Sequence, residues 1–538
     1  METRFSNTSE RYKNIISQSS LLCSGSPAVY QLRPQEQKFG TLTRKTVGEK
    51  NQKKTNKTIL LVGESGAGKS TLINSLFNYT IGVKFDHNIW FEIVEKENRS
   101  QSESQTSDVI VYEIFGFEDE TLPYSLTIID TPGFNSTRGI KHDVTISQRL
   151  LDLFRSEDGV HELNAVGLVM KATDNRLSDR LMYVFNSVTS LFGKDLENKI
   201  VALITHSNGR KPKNALQALE AAKIKCVTKK NQPVHFLFDN CLNEERTEEE
   251  EEDLKHADKT TVSGMSQFTD FVEKTSPQKL EKTVNVLNNR IRLTACIQNL
   301  EDRIKLIELR QTEIKQTQEA LKKHEEEMKN KKFTIEVDEV YKDKEPINGG
   351  MRLVFYQAAV TCSVCEENCH YPGCTMAWYP KHCEVMYRGR CTSCSGKCPV
   401  SAHVKEKWIY VTKTRKVEKT LEELKAKYEE NNAESEKNLS LLETLEEKME
   451  TLKTEKNQLL EEAYQHVVSL EQIALNVDSV STHVQLDFLI QRMKEKGDTE
   501  KVRKLEEMER RVDEGTRAAL QYMRGQLTAA GKEVKKLM

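Results

Sequence analysis

The sequence predicts an α/β unit with a mostly parallel sheet flanked by helices, followed by an α-helical coiled coil that carries a small zinc-stapled β module. Three observations lead to this prediction. Apolar strands alternate with helical patterns from residue 58 to about residue 275. Leu and Ile recur at 3-4 spacing in two later stretches that are rich in Glu and Lys. Eight of the twelve cysteines fall between residues 362 and 398.

The composition limits the class of protein. A chain of 538 residues should hold more than one domain. Charged residues make up 30% of the chain, but the net charge is only −2, so no overall field favours a nucleic-acid partner. No apolar run approaches the ~20 residues of a membrane span. Residues 1–4 begin no signal peptide, and the last four residues contain no prenylation cysteine. We therefore expect a cytoplasmic protein without a transmembrane segment.

Changes in composition divide the chain into six predicted segments. They are a disordered arm (1–55), the α/β domain (56–275), a coiled-coil helix (278–330), a Cys/His-rich zinc-binding β module (331–414), a second coiled-coil helix (415–470) and a C-terminal helical segment (471–538). The strand candidates of the α/β domain are 58–62, 109–115, 125–130, 165–170, 199–205 and 234–238. In the last segment, an i, i+3, i+4, i+7 spacing predicts one apolar helix face made of Leu486, Leu489, Ile490 and Met493.

A glycine-rich loop follows the first strand candidate of the α/β domain. Its residues fit the pattern G-x-x-x-x-G-K-[ST] and are Gly63, Glu64, Ser65, Gly66, Ala67, Gly68, Lys69 and Ser70, with Thr71 next. An apolar strand before this loop and a helical pattern after it are the context that a phosphate-binding loop needs. Lys69 is expected to contact the β/γ-phosphates of a nucleotide, and the Ser70 hydroxyl is expected to ligate Mg²⁺. This pattern predicts an α/β P-loop NTPase.

A second motif comes about 60 residues later, where an apolar strand ends in Asp130, Thr131, Pro132 and Gly133. The Asp130 carboxylate suits the outer coordination of Mg²⁺, and the Gly133 N–H can contact the γ-phosphate. The preceding loop, residues 104–108, is where a switch threonine closes over Mg²⁺ when a γ-phosphate is present. Thr106 is the candidate, although Ser102, Ser104 and Ser107 lie near it.

These motifs resemble those of AIG/GIMAP-type GTPases and their septin and Toc relatives. The resemblance covers residues 58–275, and the remaining chain looks like the tail of large fish-type AIG-like GTPases with a Cys-rich insertion between coiled coils. It implies binding of GTP or GDP with Mg²⁺ and self-association. It also implies that the base is read by residues 205–208, namely Thr205, His206 and Asn208, and by Asn240.

Two residues depart from the pattern of this family. The base-reading motif normally ends in Asp, whose two oxygens accept hydrogen bonds from guanine, whereas Asn208 offers one acceptor and one donor. Xanthine nucleotides or relaxed base specificity therefore stay open beside guanine. Phe134 occupies the position after Gly133, where Ras-like enzymes have a water-orienting Gln. Hydrolysis should be slow unless a dimer or a partner contributes a group, for which Arg138 and His142 are candidates.

The cysteine region has the spacing of a zinc module. The unit C-x₂-C-x₃-C occurs twice, and the candidate ligands are Cys362, Cys365, Cys369, His370, Cys374, Cys383, Cys391, Cys394, Cys398 and His403, with His382 nearby. Cysteines two residues apart can bind one tetrahedral Zn²⁺. The number of candidates predicts two zinc ions with a structural role. Two adjacent sites and a cross-braced pair both fit.

The two coiled-coil stretches have similar lengths and flank the zinc module. An antiparallel hairpin with the module at its tip is the favoured arrangement, and parallel dimeric coils are the alternative. For the whole chain, the first hypothesis is a guanine-nucleotide switch with slow, dimer-assisted GTP hydrolysis and a coiled-coil/zinc stalk that binds a partner protein. A hydrolysis-deficient scaffold that holds nucleotide is the second hypothesis. A zinc-dependent ubiquitin-ligase-like adaptor is the third.

Overall fold

The computed structural model divides into two compact units. The first contains Met1–Leu287, Glu471–Thr482 and Arg510–Met538, and the second contains Asn288–Leu470 and His483–Glu509. The structure describes residues 12–39, 42–95, 108–118, 120–134, 140–174, 179–229, 232–323, 334–347, 358–371, 379–420, 422–424, 426, 441–475 and 480–510. Among these residues, no helix is both long enough and apolar enough to cross a membrane.

The first unit is built on an eight-stranded sheet. Its strands and those of the smaller sheets are β1 (Ser19–Cys23), β2 (Ala28–Leu32), β3 (Gln35–Phe39), β4 (Leu42–Val47), β5 (Asn56–Gly63), β6 (Ile89–Glu92), β7 (Ile110–Ile114), β8 (Ser125–Asp130), β9 (Glu162–Leu163), β10 (Ala165–Lys171), β11 (Ile200–Thr205), β12 (Thr228–Lys229), β13 (Gln232–Pro233), β14 (His235–Leu237) and β15 (Gln278–Lys279). The main sheet has the order β14-β11-β10-β5-β8-β7-β4-β3. Strands β14 to β8 are parallel, whereas β7 runs antiparallel to β8.

The first unit also contains helices. They are α1 (Lys13–Ser17), α2 (Lys69–Thr80), α3 (Ile140–Arg155), α4 (Asp179–Thr189), α5 (Lys213–Ala221) and α6 (Glu251–Lys274). Leu72, Ile73, Leu76 and Phe77 of α2 are buried in one core cluster with residues of the sheet. Every residue of β8 and of β11 is buried, as expected for parallel strands covered on both faces. The predicted mostly parallel sheet is confirmed, and all six strand candidates are present.

The prediction of a disordered arm over residues 1–55 is wrong for residues 12–39 and 42–47. This segment forms α1 and β1 to β4, and β4 pairs in parallel with β7 of the main sheet. Tyr12, Leu32 and Val47 are buried in the core, and the Tyr12 hydroxyl donates to the Gly82 carbonyl at 2.9 Å. Several apolar residues of this polar segment are buried against partners that are distant in sequence, although Leu21 and Leu22 are exposed, and composition alone does not reveal this burial. Residues 1–11 lie outside the described part of the chain.

The second unit combines long helices with short strands. Its helices are α7 (Glu281–Lys323), which begins in the first unit, α8 (Leu441–Ile473), which ends in the first unit, α9 (Val480–Lys496) and α10 (Thr499–Arg510). Its strands are β16 (Thr334–Pro346), β17 (Ala359–Cys362), β18 (Glu367–His370), β19 (Met386–Tyr387), β20 (Arg390–Cys391), β21 (His403–Glu406) and β22 (Trp408–Thr420). The strands β16 and β22 form an antiparallel ladder from Thr334–Thr420 to Pro346–Trp408. Strands β18, β17 and β21 form a three-stranded sheet.

Helices α7 and α8 pack against each other in an antiparallel arrangement. Ile314 and Leu445 belong to one core cluster, and the Glu308 carboxylate lies 3.7 Å from Lys456 Nζ. Residue numbers therefore rise along one helix as they fall along the other. The predicted face of α9 is buried at Leu486, Leu489, Ile490 and Met493. A coiled-coil geometry stays a prediction.

One boundary of the second predicted coil is wrong. Residues 415–420 belong to β22 and not to a helix. Lys, Arg and Thr dominate this stretch, so its sequence has no strong apolar alternation. Its extended conformation is held by pairing with β16, a strand about 75 residues earlier. Most of the residues between this strand and α8 lie outside the described part of the chain.

Candidate functional site

The glycine-rich loop connects β5 to α2 at the carboxyl edge of the main sheet. Gly63 ends β5, and a Cβ added there would lie 2.3 Å from the Val169 carbonyl oxygen of the neighbouring strand. Gly68 caps α2 with a left-handed φ of 89°, which glycine adopts without a steric penalty. Ser70 and Thr71 follow in the first turn of α2, where the free N–H groups of a helix attract anions.

Lys69 is fixed at the base of this loop. Its Nζ donates hydrogen bonds to the carbonyl oxygens of Glu64 at 3.0 Å and Gly63 at 3.2 Å. Burial lowers the pKa of the Lys69 ammonium to about 8, although the charges of Asp130 and Glu64 oppose the shift. An anionic phosphate placed beside Lys69 would stabilise its charged form. The loop therefore presents a preoriented cation and a helix N-terminus to the same point.

The segment after β8 packs against the glycine-rich loop. Asp130 is fully buried, and the β5–β8 register pairs it with Leu61. The Phe134 N–H donates to the Gly63 carbonyl, and the Ser65 N–H donates to the Phe134 carbonyl, both at 3.1 Å. These two bonds hold the second motif against the first one.

The contact between the two motifs leaves no space for a side chain. A Cβ added to Gly133 would lie 2.3 Å from Ser65 Cα, so only glycine fits there. The Phe134 side chain is itself buried, with 1% of its surface exposed. This phenyl ring therefore has neither the chemistry nor the exposure to orient a water molecule.

The switch candidates fall mainly outside the described residues. Thr106 lies in the undescribed segment 96–107 and Arg138 in the undescribed segment 135–139, and the side chain of His142 is also not described. Directly after the first of these segments, Asp108 Oδ1 lies 3.1 Å from Nε of the buried Arg149 on α3. Burial raises the pKa of the Asp108 carboxyl, and the Arg149 charge opposes this shift. No sequence motif contains Arg149, so this anchor could not be predicted from the sequence.

The end of β11 is bonded to the glycine-rich loop. The Thr205 hydroxyl donates to the Ala67 carbonyl at 2.7 Å. His206 follows with a positive φ of 52°. Asn208 is exposed, and its Oδ1 accepts a hydrogen bond from the Arg210 N–H at 3.1 Å. The Asn208 side chain thus stabilises its own turn in this structure.

Asn240 lies in the neighbouring loop after β14. The Ser207 N–H donates to the Phe238 carbonyl at 3.0 Å, so this loop runs beside the end of β11. The amide nitrogen and oxygen of the Asn240 side chain are both buried, and neither has a hydrogen-bond partner among the described residues. Buried amide groups without partners are costly, which indicates that a ligand completes this position.

The carboxyl ends of β5, β8, β11 and β14 therefore bring together the glycine-rich loop, Asp130, Gly133, Thr205 and Asn240. This edge is where parallel α/β sheets bind their ligands. A sequence profile of the AIG1 family matches residues 57–261, the segment that contains all of these groups. Residues 57–261 are therefore similar to the AIG1 family. The predicted resemblance to AIG-type P-loop GTPases is confirmed for this part of the chain.

Several proteins are similar to part of the chain. GTP-binding protein A of Dictyostelium discoideum is 28% identical over 156 residues, which are 29% of this chain and 29% of that protein. Septin-1 of Drosophila melanogaster is 27% identical over 179 residues, 32% of this chain and 42% of the septin. Septin-5 of Homo sapiens is 31% identical over 131 residues, 23% of this chain and 33% of the septin. The chain thus spans less than half the length of each of these relatives.

Solved structures of the chloroplast translocon component Toc33 are also similar. Toc33 from Arabidopsis thaliana in complex with GDP and Mg²⁺ is 15% identical with a TM-score of 0.30, and the match covers 43% of this chain and 90% of Toc33. A second structure concerns atToc33 and psToc159, for whose GTPase activity dimerisation is important. It is 16% identical with a TM-score of 0.30, and the match covers 43% of this chain and 88% of that chain.

The second unit contains three groups of potential metal ligands. Within each group, the ligand atoms lie within 4.8 Å of one another. The groups are Cys362, Cys365, Cys394 and Cys398; Cys369, Cys391, Cys394 and His403; and His370, Cys383 and Glu384. Cys374 lies outside the described residues, and His382 belongs to none of the three groups. Every described cysteine is a free thiol.

Local geometry in the first two groups suits metal binding. The Cys365 N–H donates to Cys362 Sγ at 3.4 Å, and the Cys394 N–H donates to Cys391 Sγ at 3.3 Å, which stabilises negative thiolates. His403 Nδ1 lies 2.9 Å from the Pro399 carbonyl, so Nδ1 carries the proton. His403 Nε2 is buried and has no hydrogen-bond partner among the described residues. The residues fit zinc by donor type and by spacing.

The third group adds a potential ligand, Glu384, that no sequence pattern indicated. His370 Nδ1 lies 3.1 Å from Cys383 Sγ and 3.3 Å from Glu384 Oε2. All three side chains are buried. Glu384 directly follows Cys383, but one carboxylate among many acidic residues gives no distinctive pattern. Its burial beside a cysteine and a histidine identifies it as a candidate.

Proposed function

We propose that the chain is a guanine-nucleotide-binding switch protein that hydrolyses GTP slowly. The observation that supports this most directly is the convergence of the glycine-rich loop, Asp130 and the unpartnered Asn240 amide at one edge of the sheet. Residues 63–71 would bind the phosphates, with Lys69 on the β/γ-phosphates. The Ser70 hydroxyl would bind Mg²⁺, and the Asp130 carboxylate would contact the ion through a water molecule. Thr106 would complete the coordination of Mg²⁺ when GTP is bound. Mg²⁺ neutralises charge on the phosphates when it is bound.

Recognition of the base is assigned to the loops after β11 and β14. The buried Asn240 amide offers one acceptor and two donors to the base. His206 and Asn208 lie at the opposite loop, where Asn208 is exposed and engaged in its own turn. Asn208 would have to rotate away from the Arg210 N–H to contact the base. Guanine is the proposed base, and Asn208 contributes little to that preference.

A nucleotide-competition assay tests this assignment. In the full-length protein with Mg²⁺, GTP should displace a labelled guanine nucleotide far better than ATP. Asn208→Asp should bind GTP roughly tenfold more tightly than the native protein, because a carboxylate accepts from both donors of guanine. Asn208→Ala is the matched control, and its GTP affinity should stay within about twofold of the native value. Competition by ATP at equal concentration would overturn the guanine assignment.

The slow rate follows from Phe134. Its side chain is buried and apolar, and the surrounding backbone is bonded to Gly63 and Ser65. The second motif therefore offers no side chain to orient water, and catalysis would rest on Mg²⁺, Lys69 and the Gly133 N–H. We propose that a second copy of the chain contributes the missing group, with Arg138 or His142 as the candidates.

Dimer-assisted catalysis predicts a concentration dependence. The GTP turnover per molecule of the full-length protein should rise with protein concentration and then level off, because the active species is the dimer. Arg138→Ala and His142→Ala should be measured in parallel, and one of them should remove the rise without changing GTP affinity. A turnover that is independent of concentration would favour the alternative function, a nucleotide-binding scaffold that does not hydrolyse GTP.

The second unit would provide self-association or binding of a partner protein. Its long antiparallel helices α7 and α8 and its zinc module form the proposed stalk, and the first two cysteine groups would hold two zinc ions in a structural role. The two groups together contain seven ligand atoms for these ions, and the chain would use them to fold the module and not to activate water. A ubiquitin-ligase-like adaptor is a third candidate that rests on the cysteines alone. The cytoplasm is the proposed location.

A further inference from the structure

One thiol belongs to both of the first two ligand groups. Cys394 Sγ lies within 4.8 Å of the sulfur atoms of Cys362, Cys365 and Cys398, and also within 4.8 Å of Cys369 Sγ, Cys391 Sγ and a His403 ring nitrogen. The Cys365 and Cys398 sulfur atoms are 3.6 Å apart. This separation is close to the edge of a zinc–thiolate tetrahedron, roughly 3.8 Å for bonds of about 2.3 Å. The two groups therefore have the dimensions of two adjacent tetrahedral sites.

The number of metal–ligand bonds bears on the role of the shared Cys394 thiol. Two four-coordinate ions need eight metal–ligand bonds, and the two groups contain seven ligand atoms. If each of these atoms bound one ion, one site would lack a ligand from the described residues, which do not include Cys374. A thiolate has several lone pairs and can bind two ions, and Cys394 is the one residue common to both groups. With Cys394 bound to both ions, each of the two sites is complete.

We propose that Cys394 bridges two zinc ions, so that the module holds a binuclear zinc–thiolate cluster. One ion is bound by Cys362, Cys365, Cys398 and Cys394, and the other by Cys369, Cys391, His403 and Cys394. The proposal rests on the zinc binding proposed above and adds to it that the ions share a ligand. It also specifies which cysteines bind the same ion, which the sequence left open. The C-x₂-C pair of Cys362 and Cys365 binds the same ion as Cys394 and Cys398.

The surroundings of the cluster support its charge. Six thiolates and two Zn²⁺ ions give a net charge of −2 on this count of ligands. Backbone N–H groups offset this negative charge. The Cys398 N–H donates to Cys394 Sγ at 3.2 Å, and the Gly396 N–H donates to Cys365 Sγ at 3.4 Å. Lys342 Nζ donates to the Cys365 carbonyl at 3.0 Å, which places a cation beside the first site.

Contacts from α7 position the backbone around the cluster. The Asn299 amide of α7 donates to the Ser393 carbonyl at 3.0 Å, and the Arg303 guanidinium of α7 donates to the same oxygen at 2.9 Å. Arg303 also forms a buried ion pair with Glu367, which precedes the ligands of β18. A Cβ added to Gly396 would lie 2.9 Å from Cys398 Sγ, so the second turn closes tightly around its ligands. These contacts hold the shared cysteine between the two groups.

Zinc content of the full-length protein and its variants tests the shared ligand. Relative to the native protein, Cys394→Ser should lose two zinc ions per chain, whereas Cys362→Ser and Cys391→Ser should each lose one. Cys296→Ser, a buried cysteine outside the three groups, is the control and should lose none. Because losses are counted against the native protein, an ion at the third group does not affect the comparison. Loss of a single ion from Cys394→Ser would overturn the bridge.

A measurement on the native protein guards against a variant that misfolds. X-ray absorption at the zinc edge should show a zinc neighbour of zinc at less than about 4.6 Å, the sum of two Zn–S bonds. Zinc without such a neighbour would refute the bridge but leave zinc binding intact. A native protein with no zinc would overturn both proposals. GTP binding measured on the same samples separates these results from the function of the G domain.

Discussion

Replacing Lys69 with alanine should weaken GTP binding by at least about 100-fold. The ammonium is held by the carbonyls of Gly63 and Glu64 at the base of the loop, so it is positioned before the ligand arrives. Each hydrogen bond from a charged donor contributes roughly 1.5–3 kcal/mol, and Lys69 would make two to the phosphates. Fluorescence titration with a labelled GTP analogue measures the loss. An affinity within threefold of the native value would contradict the proposed site.

The same lysine should make binding depend on pH. Burial lowers the pKa of Lys69 to about 8 in the ligand-free protein, and bound phosphates would raise it again. Binding then takes up a proton above pH 8, so the affinity should fall by up to about tenfold per pH unit as the pH rises beyond 8. Lys69→Arg is the control, because arginine stays charged and its affinity should not change over this range. A flat profile in the native protein would contradict a depressed pKa at this residue.

Removing zinc should unfold the cysteine module and leave the G domain folded. Six of the nine buried members of the module's core cluster are cysteines, and the others are Ala295, Val360 and Val385. So few apolar carbons bury too little surface to stabilise a fold, whereas structural zinc contributes on the order of 10 kcal/mol. Chelation should therefore abolish amide-exchange protection in β17, β18 and β21. Protection in β5 and β8 should persist.

Restoring the metal provides the control for this experiment. Added Zn²⁺ should return the exchange protection of the module, whereas added Mg²⁺ should not, because thiolates bind magnesium poorly. The GTP affinity should be the same with and without the chelator. Protection that survives complete removal of zinc would show that the module folds without metal.

The parts of the chain with local patterns could be predicted from the sequence. β8 matches the predicted span 125–130, where all residues are buried and the apolar Leu126, Ile128 and Ile129 precede the motif that begins at Asp130. The glycine-rich loop could be placed because its glycines meet steric demands that few sequences satisfy, as the close approach of Val169 to Gly63 illustrates. In both cases, the physical cause lies within about ten residues of sequence.

The parts that depend on distant pairing could not be predicted. Leu42 and Val47 are buried because β4 pairs with β7, more than 60 residues away, and the polar residues between them concealed the strand. The proposed zinc ligands likewise come from two turns about 30 residues apart. Because the cysteine spacing is the same in both turns, the sequence did not show which cysteines bind the same ion. Asn240 was predicted to contact the base because the chain resembles a family. The structure adds that its side-chain amide is buried without a hydrogen-bond partner among the described residues.

The pairing of β4 with β7 has a practical consequence for where the nucleotide-binding unit begins. The family profile starts at residue 57, and the first motif residue is Gly63. A fragment that starts there would lose β3 and β4 and leave the backbone of β7 unpaired along one side. Exposed strand edges recruit other chains into aggregates. The smallest fragment that behaves well in solution is therefore defined by backbone pairing and should begin before Tyr12, about 50 residues ahead of the motif that marks the domain.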